Sequence, residues 1–359
     1  MQTCLPSTGL IYKIHMKNVF HFYFVLAVLT LFSMGCGNDK KAEDQSVSPQ
    51  PSSALTKTTP KELQDLNEKI RLDSGNATLL YSRAKYYLNV RDFNASLIDM
   101  SRVMKLDSMK PEYYITIADL YMDGSHTGKS KAALEKCLSL DPKNTDALLK
   151  LGELYFYVKK YQESINYINN ALKINNFLSK GYYLKGMDFK EIGDTVKSIS
   201  CLVTATEQDP DYYAAFEELG VLHAAKRNKL AIGYFDNALR IDPKSVETLY
   251  NEGKFFQDAK EWVKAMQSYE DLLKIDSTYK HACYNMGAIE LVNNKAYDKA
   301  IKHFTDAIKA DSRYLEAYYA RGTAYLQKGE IAKAKRDYLM AQQIEPNDEP
   351  TKEALKGLN

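Results

Sequence analysis

The chain has 359 residues, 45% of them hydrophobic and 26% charged, a balance that excludes wholesale disorder and supplies ample apolar mass for a core. Its formal charge of +2 is carried by Lys13 and Lys17, because residues 1–35 hold those two cations and no acid, and the rest of the chain is neutral. A neutral body gives nucleic acid no electrostatic reason to bind, so no nucleic-acid partner is expected.

The first element is a cationic start (Lys13, His15, Lys17) followed by an apolar run over 19–34, broken only by His21, Thr30 and Ser33. This reads as a signal peptide over 1–35, with Met16 as an alternative true start because Met16 Lys17 Asn18 is a compact cationic head. The segment Leu31 Phe32 Ser33 Met34 Gly35 Cys36 resembles a bacterial lipobox, although Ser33 stands where such segments usually carry Leu. The resemblance implies lipidation of Cys36 and a membrane-anchored protein of the bacterial cell envelope. Gly37 in place of Asp after the Cys favours the outer membrane and leaves the leaflet open. A plain secretory signal and an uncleaved anchor are the alternatives. Residues 36–58 are rich in Ser, Pro, Gln, Lys and Asp and read as a flexible tether. Thr59 Pro60 Lys61 Glu62 reads as a capping box with Pro at the first helical position, opening an N-terminal capping helix within 59–76.

Beyond this helix an acid followed by Pro recurs at Asp141, Asp209, Asp242 and Glu345, at intervals close to multiples of 34. Laid out on that period, the chain gives eight units: 77–110, 111–144, 145–178, 179–212, 213–245, 246–279, 280–314 and 315–348. Each splits into two helical patterns, a first and a second helix. Every first helix carries one small residue near its middle: Ala84, Ala118, Gly152, Gly186, Gly220, Gly253, Gly287 and Gly322. Six glycines would cost an isolated helix about 1 kcal/mol each relative to Ala, so the spacing predicts close approach of a second backbone there. The second helix opens on another small column (Ser96, Ser130, Ser164, Ser198, Ala231, Ala265, Ala300, Ala334), and four residues on stand large side chains such as Ile168, Phe235, Tyr269 and Phe304. Small, small, large and Pro at these offsets, in eight consecutive copies, resemble the tetratricopeptide repeat. The resemblance implies an all-α, right-handed α-α superhelical solenoid of helix pairs, closed by a C-terminal capping helix within 349–359.

Chemistry-bearing motifs are sparse. Gly124 Ser125 His126 Thr127 Gly128 Lys129 Ser130 resembles a phosphate-binding loop, but it is one residue short and joins two helices where a strand is required, so it reads as an inter-helix turn. His126, His223, His281 and His303 lack ligand spacing, and Cys137, Cys201 and Cys283 read as small core residues, so no metal and no cofactor are expected. Acidic pairs such as Glu217 and Glu218 read as solvated faces, and no nucleophile, base and acid can be assembled from the register. The chain reads as a non-enzyme.

In the family it resembles, the first helices line a groove that holds protein or peptide partners. The lining positions here include Tyr81, Leu149, Phe156, Tyr183, Tyr250, Tyr284, Tyr319 and Leu326, interspersed with Lys85, Glu153 and Lys254. The reading is a non-catalytic scaffold of an envelope assembly or secretion complex, with a periplasmic carrier of a peptide or cell-wall fragment as the alternative. Two units depart from the period: the fifth is one residue short and holds His223 where most units carry an aromatic, and the seventh is one residue long and holds Glu290 there. These are candidate functional positions; the competing reading is that a shifted turn exposes both side chains.

Overall fold

The computed structural model describes residues 60–123 and 126–358. The signal peptide, Cys36, the tether and Thr59 lie outside the described residues. Residues 59–359 form one compact unit.

Among the described residues the regular structure is entirely helical. A lone helix α1 (Lys61–Leu72) precedes the pairs. First helices are α2 (Ala77–Asn89), α4 (Pro111–Asp123), α6 (Thr145–Tyr157), α8 (Ser179–Ile192), α10 (Tyr213–Ala225), α12 (Val246–Asp258), α14 (Lys280–Val292) and α16 (Leu315–Gln327). Second helices are α3 (Phe93–Leu106), α5 (Thr127–Leu140), α7 (Tyr161–Ile174), α9 (Thr195–Gln208), α11 (Leu230–Ile241), α13 (Trp262–Ile275), α15 (Tyr297–Ala310) and α17 (Ile331–Ile344), and α18 (Glu349–Lys356) closes the array. Each first helix packs most closely on its own second helix, and each second helix on the next first helix, which is how a solenoid buries stripes that no single pair could bury.

The small columns work by a mechanism the sequence only partly conveys. A Cβ on Gly220 would stand 2.4 Å from Phe235 Cε1, and one on Gly253 would stand 2.6 Å from Tyr269 Cε1. The nearest obstacle is therefore the large side chain of the partner helix, and its backbone is close as well: the Ser198 and Ala334 carbonyls would stand 3.3 Å from a Cβ on Gly186 and on Gly322. The glycine is a socket, and the ring that enters it is fully buried, as Phe235, Tyr269 and Phe304 are. The small residue one turn before the ring clears the way for it; Ser96 there also donates from Oγ to the Ala84 carbonyl at 2.7 Å.

Turns between units use a recurring acid. Asp107, Asp141, Asp209, Asp242, Asp276 and Asp311 each accept, through Oδ1, the backbone N–H two residues on, a local turn that competes with the helix and ends it. Among the described residues the turn passes through a left-handed residue in seven units: Gly193 and Gly329 in two, but Arg91, Lys159, Arg227, Lys260 and Lys295 in five others. At the start of α1, Pro60 precedes the first helical residue with φ −53° and ψ 141°, so the reading of Pro60 as the first helical residue is corrected by one position, while Thr59 of the capping box lies outside the described residues.

The two irregular units absorb their length changes locally. In six regular turns and the short one, the carbonyl of the position held by His223 accepts an N–H five residues on, as His223 does from Asn228 at 2.9 Å. In the seventh unit Glu290 accepts from Ala296, six residues on, at 2.9 Å. The extra residue is held by the Glu290 side chain, whose Oε2 accepts from Asn294 Nδ2 at 2.8 Å. The short unit begins its second helix at Leu230, so the deletion is taken from the first turn of α11. His223 and Glu290 are 8% and 5% exposed, which overturns the reading that a shifted turn exposes them.

Candidate partner-binding face

Successive first helices touch: α2 with α4, α6 with α8, α10 with α12, and α14 with α16. They make a continuous surface that changes character along the array. Over the second to fifth units, neighbouring first helices are joined by ion pairs, Lys150 to Asp119 at 2.7 Å, Lys180 to Glu153 at 2.7 Å and Lys190 to Glu218 at 2.6 Å. Over the sixth to eighth units they are joined by aromatic rings instead. Tyr250 lies 5.4 Å from Tyr279 and 6.2 Å from His281, and His281 lies 5.6 Å from Tyr314, which lies 5.5 Å from Tyr284. The His281 ring also shares a 3.1 Å hydrogen bond between Nδ1 and the Tyr314 hydroxyl. Such pairs fix ring orientation and leave rigid amphipathic edges available to a partner.

The sequence-derived lining residues do not all share one role. Tyr81, Tyr183, Tyr250, Tyr284 and Tyr319 are half-buried, each ring resting on another aromatic: Tyr113, Tyr212, Tyr279, Tyr314 and Tyr338 respectively. Tyr81 donates to the Glu112 carbonyl at 3.3 Å, and Lys85 Nζ lies 4.8 Å from its ring centroid. Phe156 packs on Tyr161 at 5.7 Å, and Leu326 is half-buried against the cluster of Tyr338 and Leu355. Leu149 is only 4% exposed and belongs to the core with Ile168 and Ala171, so it is removed from the contact surface. Asn285 donates to the Tyr269 hydroxyl at 3.0 Å and is committed to packing.

Three aromatic residues of this face, Tyr212, Tyr279 and Tyr314, were not among the lining positions read from the sequence. Each is the residue before a first helix and follows an Asp by three positions, so an Asp-x-x-Tyr spacing in the sequence carried the signal. The acidic pair Glu217 and Glu218 is also not the solvated face expected of it. Glu218 is paired with Lys190, while Glu217 is half-buried with Oε1 enclosed and without a donor. Burial, with Glu247 and Glu218 adding to it, pushes the Glu217 carboxyl up to about 7. Of the cysteines, Cys137 and Cys283 are buried and Cys201 is half-buried. Burial pushes the thiols of Cys137 and Cys283 up to about 11, so both are inert.

Gly124 and Ser125 lie outside the described residues; His126 precedes α5, and Lys129 in its first turn lies 5.3 Å from the Tyr121 ring centroid. Among the described residues no three His, Cys, Asp or Glu side chains gather where one metal ion could be held, and no helix is long and apolar enough to cross a membrane.

Stacked helix pairs with a continuous, partly aromatic first-helix face define an all-α repeat solenoid of the kind that binds other chains. A family model described as tetratricopeptide repeat matches residues 183–246 and 285–349, and a second of the same description matches 111–144 and 145–177. Together they span more than half of the sequence, and the chain belongs to the tetratricopeptide repeat family, whose repeats bind protein or peptide partners. It is similar to human tetratricopeptide repeat protein 6, with 23% identity over 63% of this chain and 51% of that one. It is also similar to the formate-dependent nitrite reductase complex subunit NrfG of Escherichia coli O157:H7, 27% identical over 32% of this chain and 60% of that one. The chain thus spans about half the length of the curated relatives it matches. Among solved structures, the C-terminal part of a TPR repeat-containing protein from Cytophaga hutchinsonii aligns with a TM-score of 0.58 at 16% identity, covering 66% of this chain and 98% of that one, which shows the shared fold.

Proposed function

We propose that this protein is a non-catalytic scaffold that holds an extended segment of a partner protein along its first-helix face, across the aromatic half formed by the sixth to eighth units. The observation that carries this reading is the run Tyr250, Tyr279, His281, Tyr314 and Tyr284: rings locked against one another lose little entropy on binding and offer a rigid aromatic surface to an extended segment. NrfG is by its name a subunit of a complex, which is in keeping with a scaffold. The envelope part of the proposal rests on the sequence alone: a lipid on Cys36 tethers the repeat body to a bacterial membrane, the outer membrane being favoured.

The test is partner capture by the full chain and by Tyr250→Ala plus Tyr284→Ala, with helical content checked by circular dichroism. Loss of a specific protein partner at unchanged helicity is expected; undiminished capture contradicts the assigned face. Release of the Cys36→Ala variant from the membrane fraction is expected of the anchor, and its retention there contradicts lipidation.

A further inference from the structure

Two residues beyond the small residue of each first helix, the array places a side chain against the second helix of the unit before. Leu120, Leu154, Phe255 and Ile289 fill this column in other units, and all four are buried. In the fourth unit the position is Asp188, 0% exposed. Its Oδ2 accepts from Ser164 Oγ on α7 at 2.7 Å, and its Oδ1 is enclosed with no donor. A buried carboxylate accepts on several sites, so one hydroxyl leaves the ionised form heavily under-satisfied.

Among the described residues no Lys or Arg forms an ion pair with Asp188, and Ser164 is the one side chain that bonds to it. On α6, Lys150 is paired with Asp119, and Glu153 with Lys180 of α8 itself. On α9, Lys197 is paired with Asp194, and Cys201 faces Lys185. On α7, Glu163 and Lys173 are exposed, while Tyr161 senses both Asp188 and Glu191 as further negative charge. Lys190, two residues on in α8, is paired with Glu218 of α10.

We propose that Asp188 makes the seam between the third and fourth units a proton-gated opening point of the array. Protonated, the side chain is a neutral filler between α7 and α8. Ionised, it is a desolvated charge with one donor, and parting of the seam is the cheapest way to hydrate it. Burial pushes this carboxyl up to about 7 against the opposing hydrogen bond from Ser164, which puts the change near neutral pH. The sign follows: a folded-state value above the ordinary one means that the closed seam binds the proton more tightly, so closure weakens as pH rises from about 4 and levels off above about 7. Repeat arrays can open at one interface while the remainder stays folded, because each unit contacts only its neighbours.

Hydrogen exchange of the full chain, read by mass spectrometry at pH 6 and pH 8.5 and scaled for intrinsic amide rates, tests this. Opening of α7 and α8 relative to α14 and α15 is expected to increase on the order of tenfold between the two pH values, and Asp188→Asn is expected to abolish the increase. Parallel behaviour of the two regions in the native protein, or an undiminished increase in Asp188→Asn, overturns the proposal. If Asp188→Asn does not fold, Asp188→Leu restores the residue type of the column and must show a seam that is better protected and indifferent to pH. An increase removed by Glu217→Gln and kept by the Asp188 variants places the switch elsewhere and equally overturns it.

Discussion

Arg83 and Arg321 occupy the same position in the first and last units and make the same contacts. Arg83 donates through Nε and Nη2 to Asp99 at 2.6 and 2.7 Å, and through Nη1 to Asn67 of α1 at 2.7 Å. Arg321 donates through Nε and Nη2 to Asp337 at 2.7 and 2.8 Å, and through Nη1 to Thr305 of α15 at 3.0 Å. Each guanidinium thus stitches three helices with a bidentate fork that Lys could not reproduce. Arg321→Ala would leave Asp337, whose side chain is 4% exposed, without its counter-charge, and should lower stability by about 3 kcal/mol in urea titration. A loss below about 1 kcal/mol would mean the pair is a surface ornament. His223 gives a second residue-scale expectation. Burial, aided by Lys226, holds its ring below the usual imidazole range, stacked on Tyr234 at 5.1 Å. A lowered folded-state value means stability that is fully present above about pH 6.5 and is lost as pH falls through the folded value. The melting temperature of His223→Phe should therefore fall less between pH 7 and pH 5 than that of the native chain; an equal fall would show that the ring titrates freely.

At the scale of elements, the left-handed turn between paired helices is the feature least legible in the sequence. Gly193 and Gly329 announce it, but Arg91, Lys159, Arg227, Lys260 and Lys295 adopt the same conformation at positions where composition suggests only a polar loop. The turn is imposed by the packing of the two helices, and the residue complies. Lys260→Gly, at φ 62°, should stabilise the sixth unit by roughly 0.5 to 1 kcal/mol, the relief of strain exceeding the added chain entropy; a loss of stability would show that the Lys260 side chain contributes more than its backbone costs. The small columns were legible because spacing alone exposes them, and Gly220→Leu should cost roughly 1 to 3 kcal/mol or more, since even a Cβ meets Phe235 at 2.4 Å. The large residues that fill the sockets were legible too, since each lies in the same unit as its small residue; what spacing could not give was the burial of Leu149 or the enclosure of Glu217. The tyrosines of the face were legible on the helices and missed at Tyr212, Tyr279 and Tyr314, where an element boundary breaks the helical period.

At the scale of the whole array, stability and binding are both nearest-neighbour properties. Ion pairs link the first helices of the second to fifth units, while rings link α12, α14 and Tyr314 before α16, so salt should weaken the first-helix contacts of the former more than those of the latter. Asp188 interrupts an otherwise apolar column at the seam between the third and fourth units, within the ion-paired part of the array, and the proposed partner lies beyond it on the aromatic units. The most direct test of the account places a photo-reactive amino acid at Tyr284 on the first-helix face and, in a separate variant, at Asp236 on the exposed side of a second helix. Cross-linking of one protein partner from position 284, competed by a peptide of that partner and absent from position 236, is the predicted result; cross-linking from position 236 with none from 284 would contradict it.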